Sequence, residues 1–151
     1  MPPPSDVFTK AISLFDRATA HLDSVGGADL AQKRGFSRIA VPVSDSEIAE
    51  TIRANHPDAL IFGVHMSGIC EDDARRIIVV SDLVTGCAST TVRTLAEKKA
   101  LLRAGDVIPI FALTSRGKEL MMKRILETKE KYFLKPTRLP VICTRQPEPL
   151  V

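Results

Sequence analysis

The run ALIFGVH at 59–65, apolar almost throughout and bounded by Asp58 and Gly68, constrains the fold most. A continuous apolar run of strand length suits a central parallel strand covered by helices on both faces. Upstream, SRIAVPV at 37–43 is a second β-rich run. Its Pro42 lacks an N–H and so belongs at a strand end or on an edge strand. Between the two, Ser44, Asp45 and Ser46 offer caps for a helix carrying Ile48, Ala49 and Ile52, closed before Pro57.

The alternation continues downstream. Residues 71–81 read as a helix with acidic residues in its first turn, where the dipole favours them, although its β-branched end, IIVV at 77–80, also fits a strand. DLVTG at 82–86 reads as the third strand. Ser89 or Thr90 then caps a long helix through Leu102 that ends at Gly105. VIPIFAL at 107–113 is the fourth strand, followed by a helix over 117–129 and a last short strand at 139–143. Strand–helix units repeated in this way imply a mostly parallel sheet with right-handed crossovers. The expected fold is a Rossmann-like α/β domain: a three-layer, doubly wound sandwich with four or five strands. That is too few for an eight-stranded barrel.

A helix precedes this core. Phe8, Ile12, Phe15, Leu22 and Val25 form one stripe at helical spacing, so a helix is predicted over 8–25, ended by Gly26 and Gly27. A short helix over 28–34 follows and stops at Gly35. Residues 1–7 read as a flexible tail, 8–145 as a single domain and 146–151 as a C-terminal tail.

Composition narrows the function classes. A chain of 151 residues, 44% apolar and 26% charged, fits one globular domain. No run approaches the ~20 apolar residues of a membrane span, and the start MPPPSD lacks the pattern of a secretory signal. Cys70, Cys87 and Cys143 are odd in number and without CxxC spacing, which fits free thiols in the cytoplasm. The net charge is +3, spread over short pairs such as Arg75-Arg76 and Lys98-Lys99, and there is no Trp and one Tyr. Nucleic-acid binding would want a basic stripe interleaved with aromatics, so none is expected.

Ligands of open α/β sheets bind outside the carboxyl ends of the strands. Four loops qualify, holding Ser44, then His65 to Cys70 with Ser67 and Gly68, then Gly86, Cys87 and Ser89, then Thr114, Ser115, Arg116 and Lys118. Hydroxyls and glycines at helix starts suit a small anion, and Arg116 and Lys118 would neutralise it. The plainer reading is that Ser44, Ser89 and Thr114 only cap helices, at about 1 kcal/mol each. Neither GxGxxG nor a Walker sequence is present, so no standard nucleotide site, and no particular cofactor, is implied.

His65 and Cys87 close strands and are the candidate catalytic pair, a proton carrier and a nucleophilic thiol. Each is equally readable as a packed structural residue. Cys70, if it joined them, would make three ligands on scattered loops without metal-binding spacing, so no metal is expected. In an all-parallel sheet His65, Cys87 and Thr114 must emerge at one edge, with Asp58 and Asp106 at the other.

Several strings also carry a resemblance: GFSRIAV at 35–41, LIFGVH at 60–65 with SGI at 67–69, DLVTGCAS at 82–89 and KALLRAG at 99–105. IPIFALT at 108–114, GKE at 117–119, LP at 139–140, RQP at 145–147 and PL at 149–150 continue it. Over most of its length the chain resembles the C-terminal half of the methanogenesis marker protein 8 family, named for its distribution among methanogenic archaea. The resemblance implies an archaeal setting without supplying a reaction. It also implies that a cysteine-containing N-terminal half is replaced here by the helix at 8–25. The expected function is a cytoplasmic accessory protein of methanogen-type metabolism that binds a small anionic ligand or cofactor. The alternatives are a non-catalytic interaction module, with a protein partner or a second copy supplying what is missing, and a thiol enzyme using Cys87.

Overall fold

The computed structural model describes residues 23–132. Most of the predicted first helix, the strand at 139–143 and both tails lie outside them. Among the described residues are helix α1 (Ser24–Lys33), strand β1 (Ala40–Val43), helix α2 (Ser46–Asn55), strand β2 (Leu60–Gly63) and helix α3 (Glu71–Val80). They are followed by strand β3 (Leu83–Thr85), helix α4 (Thr90–Lys99), strands β4 (Leu102–Ala104) and β5 (Ile110–Ala112), and helix α5 (Ser115–Glu127).

The sheet order is β1-β2-β3-β5-β4. β1, β2 and β3 pair in parallel, in the register Val41↔Ile61 and Gly63↔Val84. β5 is antiparallel to both neighbours, with Val84↔Phe111 on one side and Arg103↔Phe111 on the other. The fold is therefore a mixed α/β domain with a mostly parallel five-stranded sheet. The period-two alternation of side chains sorts its core. Val41, Ile61, Val84 and Phe111 pack with Ala49, Ile52, Ala74, Ile77, Val92 and Ala96 of α2, α3 and α4. Leu83 and Ala112, with Leu60, Phe62 and Ile110 at their side, pack with Met121 of α5.

Several sequence expectations hold. Pro42 lies on edge strand β1, Asp45, Ser89 and Thr114 cap helices through their side chains, and 77–80 is helical. Others are corrected. Gly26 and Gly27 do not end a helix but lie inside α1, because the Asp23 carboxylate accepts from the N–H groups of Val25 and Gly26 and starts the helix there. The predicted helix through Leu102 stops at Lys99, and Leu102–Ala104 is strand β4. β4 turns back through Gly105, whose φ of +86° suits glycine, to form a hairpin with β5. The third crossover was expected to deliver the strand at 107–113 directly; it delivers β4 instead, and the hairpin that follows reverses β5.

Candidate functional site

That reversal divides the predicted site. Ser44, the 65–70 loop and the Gly86–Ser89 loop follow parallel strands and share the carboxyl edge. Thr114 follows β5 and lies at the amino edge, where its hydroxyl donates to Asp82 Oδ1 at 2.6 Å. Ser115, Arg116 and Lys118 go with it. Arg116 donates to the carbonyls of Asp58 and Pro57 at 3.0 and 3.3 Å, so its guanidinium serves the chain itself. Asp58 is on the amino edge as expected. Asp106 is not, because the β4–β5 turn meets the carboxyl end of β3, where Gly86 donates its N–H to Pro109 O at 2.7 Å.

Two side chains remain at the carboxyl edge in an unusual state. His65 has φ of +55° and Cys87 has φ of +44°; among the described residues they alone, outside glycine, have positive φ. For an L-residue that conformation costs of order 1–2 kcal/mol, and such strain clusters at functional sites. They follow adjacent parallel strands, which lie about 4.8 Å apart. Their loops touch: Ala88 donates its N–H to Ser67 Oγ at 3.3 Å. His65, Ser44, Ser67 and Gly68 are exposed, and Cys87 is half-buried. Gly68, at φ +79°, supplies the turn between them and α3.

Cys87 is held from two sides. Thr85 Oγ1 is 2.9 Å from its Sγ, where either atom can donate. Arg93, only 7% exposed, donates from Nη2 to the Cys87 carbonyl. Sequence reasoning placed Thr85 in a candidate ligand loop without this role, and missed Arg93. Thr85 is the last residue of β3 and stands two residues before Cys87, which lies in the turn that follows. The clue to Arg93 is a cation in the first turns of a helix, where the dipole disfavours it. Ser89 is fully buried and its oxygen accepts from Val92 N at 3.2 Å, so it works as a cap.

Three helices begin at this edge. The first turn of α3 holds Glu71, Asp72 and Asp73, and α2 is capped by Asp45 with Glu47 behind it, so both starts repel an anion. The first turn of α4, beside Cys87, has no acid. Cys70 does not join the pair: its thiol donates to Asp73 Oδ2 at 3.1 Å. The Asp73 carboxyl is held below its ordinary range first by the Ser46 hydroxyl, then by the Cys70 thiol and by Arg76. Among the described residues no group of three or more His, Cys, Asp or Glu side chains is placed to hold a metal ion. None of the described helices is long and apolar enough to cross a membrane.

The geometry can be set beside known proteins. The family model described as "Uncharacterized protein conserved in archaea (DUF2099)" matches residues 5–126. The chain belongs to that family. Among curated proteins it is similar to an uncharacterized protein, MJ0054, of Methanocaldococcus jannaschii. The two are 33% identical over 141 residues, which cover 91% of this chain and 49% of the relative. The chain thus spans about half the length of the curated relative it matches. No solved structure matches the chain. The family stretch contains both strained residues, so the site lies within the part of the chain that defines membership.

Proposed function

We propose that this archaeal protein binds a small anionic ligand or cofactor at the carboxyl edge of β2 and β3, against His65, Ser67, Cys87 and the acid-free start of α4. The reading rests on the left-handed backbone of His65 and Cys87. Packing alone gives no reason to keep two strained L-residues side by side when glycine would relieve both. The free N–H groups and positive end of α4 then supply what Arg116 and Lys118 do not. In this reading the fold is a lopsided three-layer sandwich, with one helix against the second face, and the ligand sits where open α/β sheets hold theirs. The protein works in the cytoplasm as an accessory to methanogen-type metabolism. Two supports for that setting are the archaeal family and the resemblance to methanogenesis marker protein 8.

Thermal unfolding tests the ligand. Phosphorylated or carboxylated cofactors at millimolar concentration should raise Tm by more than about 2 °C, as expected once the ligand is well above its Kd. Cys87→Gly and His65→Gly should each stabilise the free protein by about 0.5–1 kcal/mol, the relieved strain less the entropy cost of glycine. Both should lose the ligand-induced rise. Wild-type protein that responds to no anion, or glycine variants that are markedly less stable, would sink the reading.

One observation favours a second reading. A threonine hydroxyl 2.9 Å from Cys87 Sγ can donate to a thiolate, as a thiol enzyme needs. Peptide-resolved iodoacetamide labelling at pH 7 should then show Cys87 reacting faster than a model thiol, despite its partial burial. A slower rate removes the enzyme and leaves the binding site standing.

A further inference from the structure

We infer that Arg93 is the positioning residue of this site: from the second turn of α4 it clamps the Gly86–Ser89 turn and keeps Cys87 in its left-handed conformation. The inference rests on the reading of Cys87 as the functional group, and adds what fixes that group in place.

The turn is closed at each end. Gly86 donates its N–H to Pro109 O at 2.7 Å, and Ser89 donates its N–H to Gly86 O at 3.3 Å. Between these bonds the Cys87 carbonyl points towards α4 and accepts from Arg93 Nη2. The stem of Arg93 lies across Gly86: a Cβ there would be 3.0 Å from Arg93 Cγ and 2.9 Å from Pro109 Cγ. Gly86 is thus glycine because an arginine and a proline press on it, at φ values any residue can adopt. A left-handed residue relaxes towards the right-handed or extended regions unless its surroundings over-determine it. Here the over-determining contact is a charged donor on the carbonyl of the strained residue, stronger than a neutral hydrogen bond.

The alternative is that Arg93 merely fills space between α4 and the sheet. That role explains its burial poorly, because a guanidinium buried near a helix start pays both desolvation and an adverse dipole. An apolar residue would fill the same volume without either cost.

Two measurements on the full-length protein separate the roles. First, Arg93→Met should raise the iodoacetamide labelling rate of Cys87 about tenfold relative to Cys70, since the loosened turn exposes the half-buried thiol to the reagent. Arg93→Lys, which keeps a charged donor, should restore most of the wild-type ratio, and it preserves the test if the methionine variant fails to fold. Second, Cys87→Gly should raise Tm by about 2 °C in the wild-type background, and by much less in the Arg93→Met or, failing that, an Arg93→Gln background. An unchanged labelling ratio, or the same gain from Cys87→Gly in both backgrounds, overturns the inference. Neither measurement involves a ligand, so they can fail while the ligand test succeeds, and the reverse.

Discussion

Asp82→Ala lowers the stability of the fold by about 3–5 kcal/mol, the cost of breaking a buried ion pair from one side. Asp82 is fully buried at the start of β3. Its Oδ2 accepts from Arg53 Nη2 at 2.7 Å and from the Ile61 N–H at 3.0 Å, and its Oδ1 accepts from Thr114 at 2.6 Å. One carboxylate therefore joins α2, β2, β3 and the start of α5. Alanine leaves the buried Ile61 N–H without its acceptor and opens a cavity where these elements meet. Arg53 is compensated in part, because it also donates to the carbonyls of Val80, Pro57 and Ala59. Urea unfolding should show a lower midpoint at unchanged slope. A loss below about 1 kcal/mol would mean that the network is incidental.

The same carboxylate gives the fold a pH dependence of known sign. Burial raises its pKa, but the bonds from Thr114, Ile61 and Arg53 outweigh that and hold it below the ordinary aspartate range. Its contribution is present in full above the unfolded pKa of about 4 and disappears as pH falls through the lower folded value. Acid unfolding of wild type should therefore be steeper below pH 4 than that of Asp82→Ala.

Where local pattern and burial coincide, the sequence can be read directly. The run at 59–65 supplies β2 because Leu60–Gly63 is buried or half-buried throughout, and Asp45, Ser89 and Thr114 cap the helices they precede. The failure at 99–105 has a specific cause. KALLRAG consists almost wholly of good helix formers, yet Leu102–Ala104 is held as a strand by its hairpin pairing with β5. Leu101 donates its N–H to Ala112 O, and Arg103 lies over the Phe111 ring while pairing with Glu97. The pairing with β5 depends on the turn at Gly105, to which helix propensity over 99–105 is blind. That one strand reverses β5, and the reversal carries Thr114 and Arg116 from the expected ligand to the Asp82 network. At the site itself, the placement of His65 and Cys87 at strand ends was legible. Their left-handed backbones were not: histidine is enriched in that region over most residue types, but any non-glycine residue adopts it only rarely, so residue type alone does not announce it.

Gly117→Ala destabilises by about 3 kcal/mol, against the sign that helix propensity gives. In an exposed helix, alanine is better than glycine by about 1 kcal/mol. Gly117, however, faces the main chain at the start of β3: an added Cβ would lie 2.2 Å from Asp82 O and 2.9 Å from its carbonyl carbon. Backbone cannot rotate away as a side chain can, so α5 must lift off the sheet. Lifting it stretches the Thr114–Asp82 bond and the cap that Thr114 makes to Gly117 N at 3.2 Å. Gly27 supplies the control, since it lies within α1 with no atom within 4 Å of where its Cβ would be. Gly27→Ala should therefore raise stability slightly, while Gly117→Ala lowers Tm by about 10 °C. The close approach exists only because β5 runs antiparallel and returns the chain to the amino end of β3. Were the strand at 107–113 parallel to its neighbours, as the sequence pattern leads one to expect, Gly117 would start a helix at the opposite edge, far from Asp82. If Gly117→Ala stabilises as Gly27→Ala does, the hairpin is wrong, and with it the separation of Arg116 from Cys87.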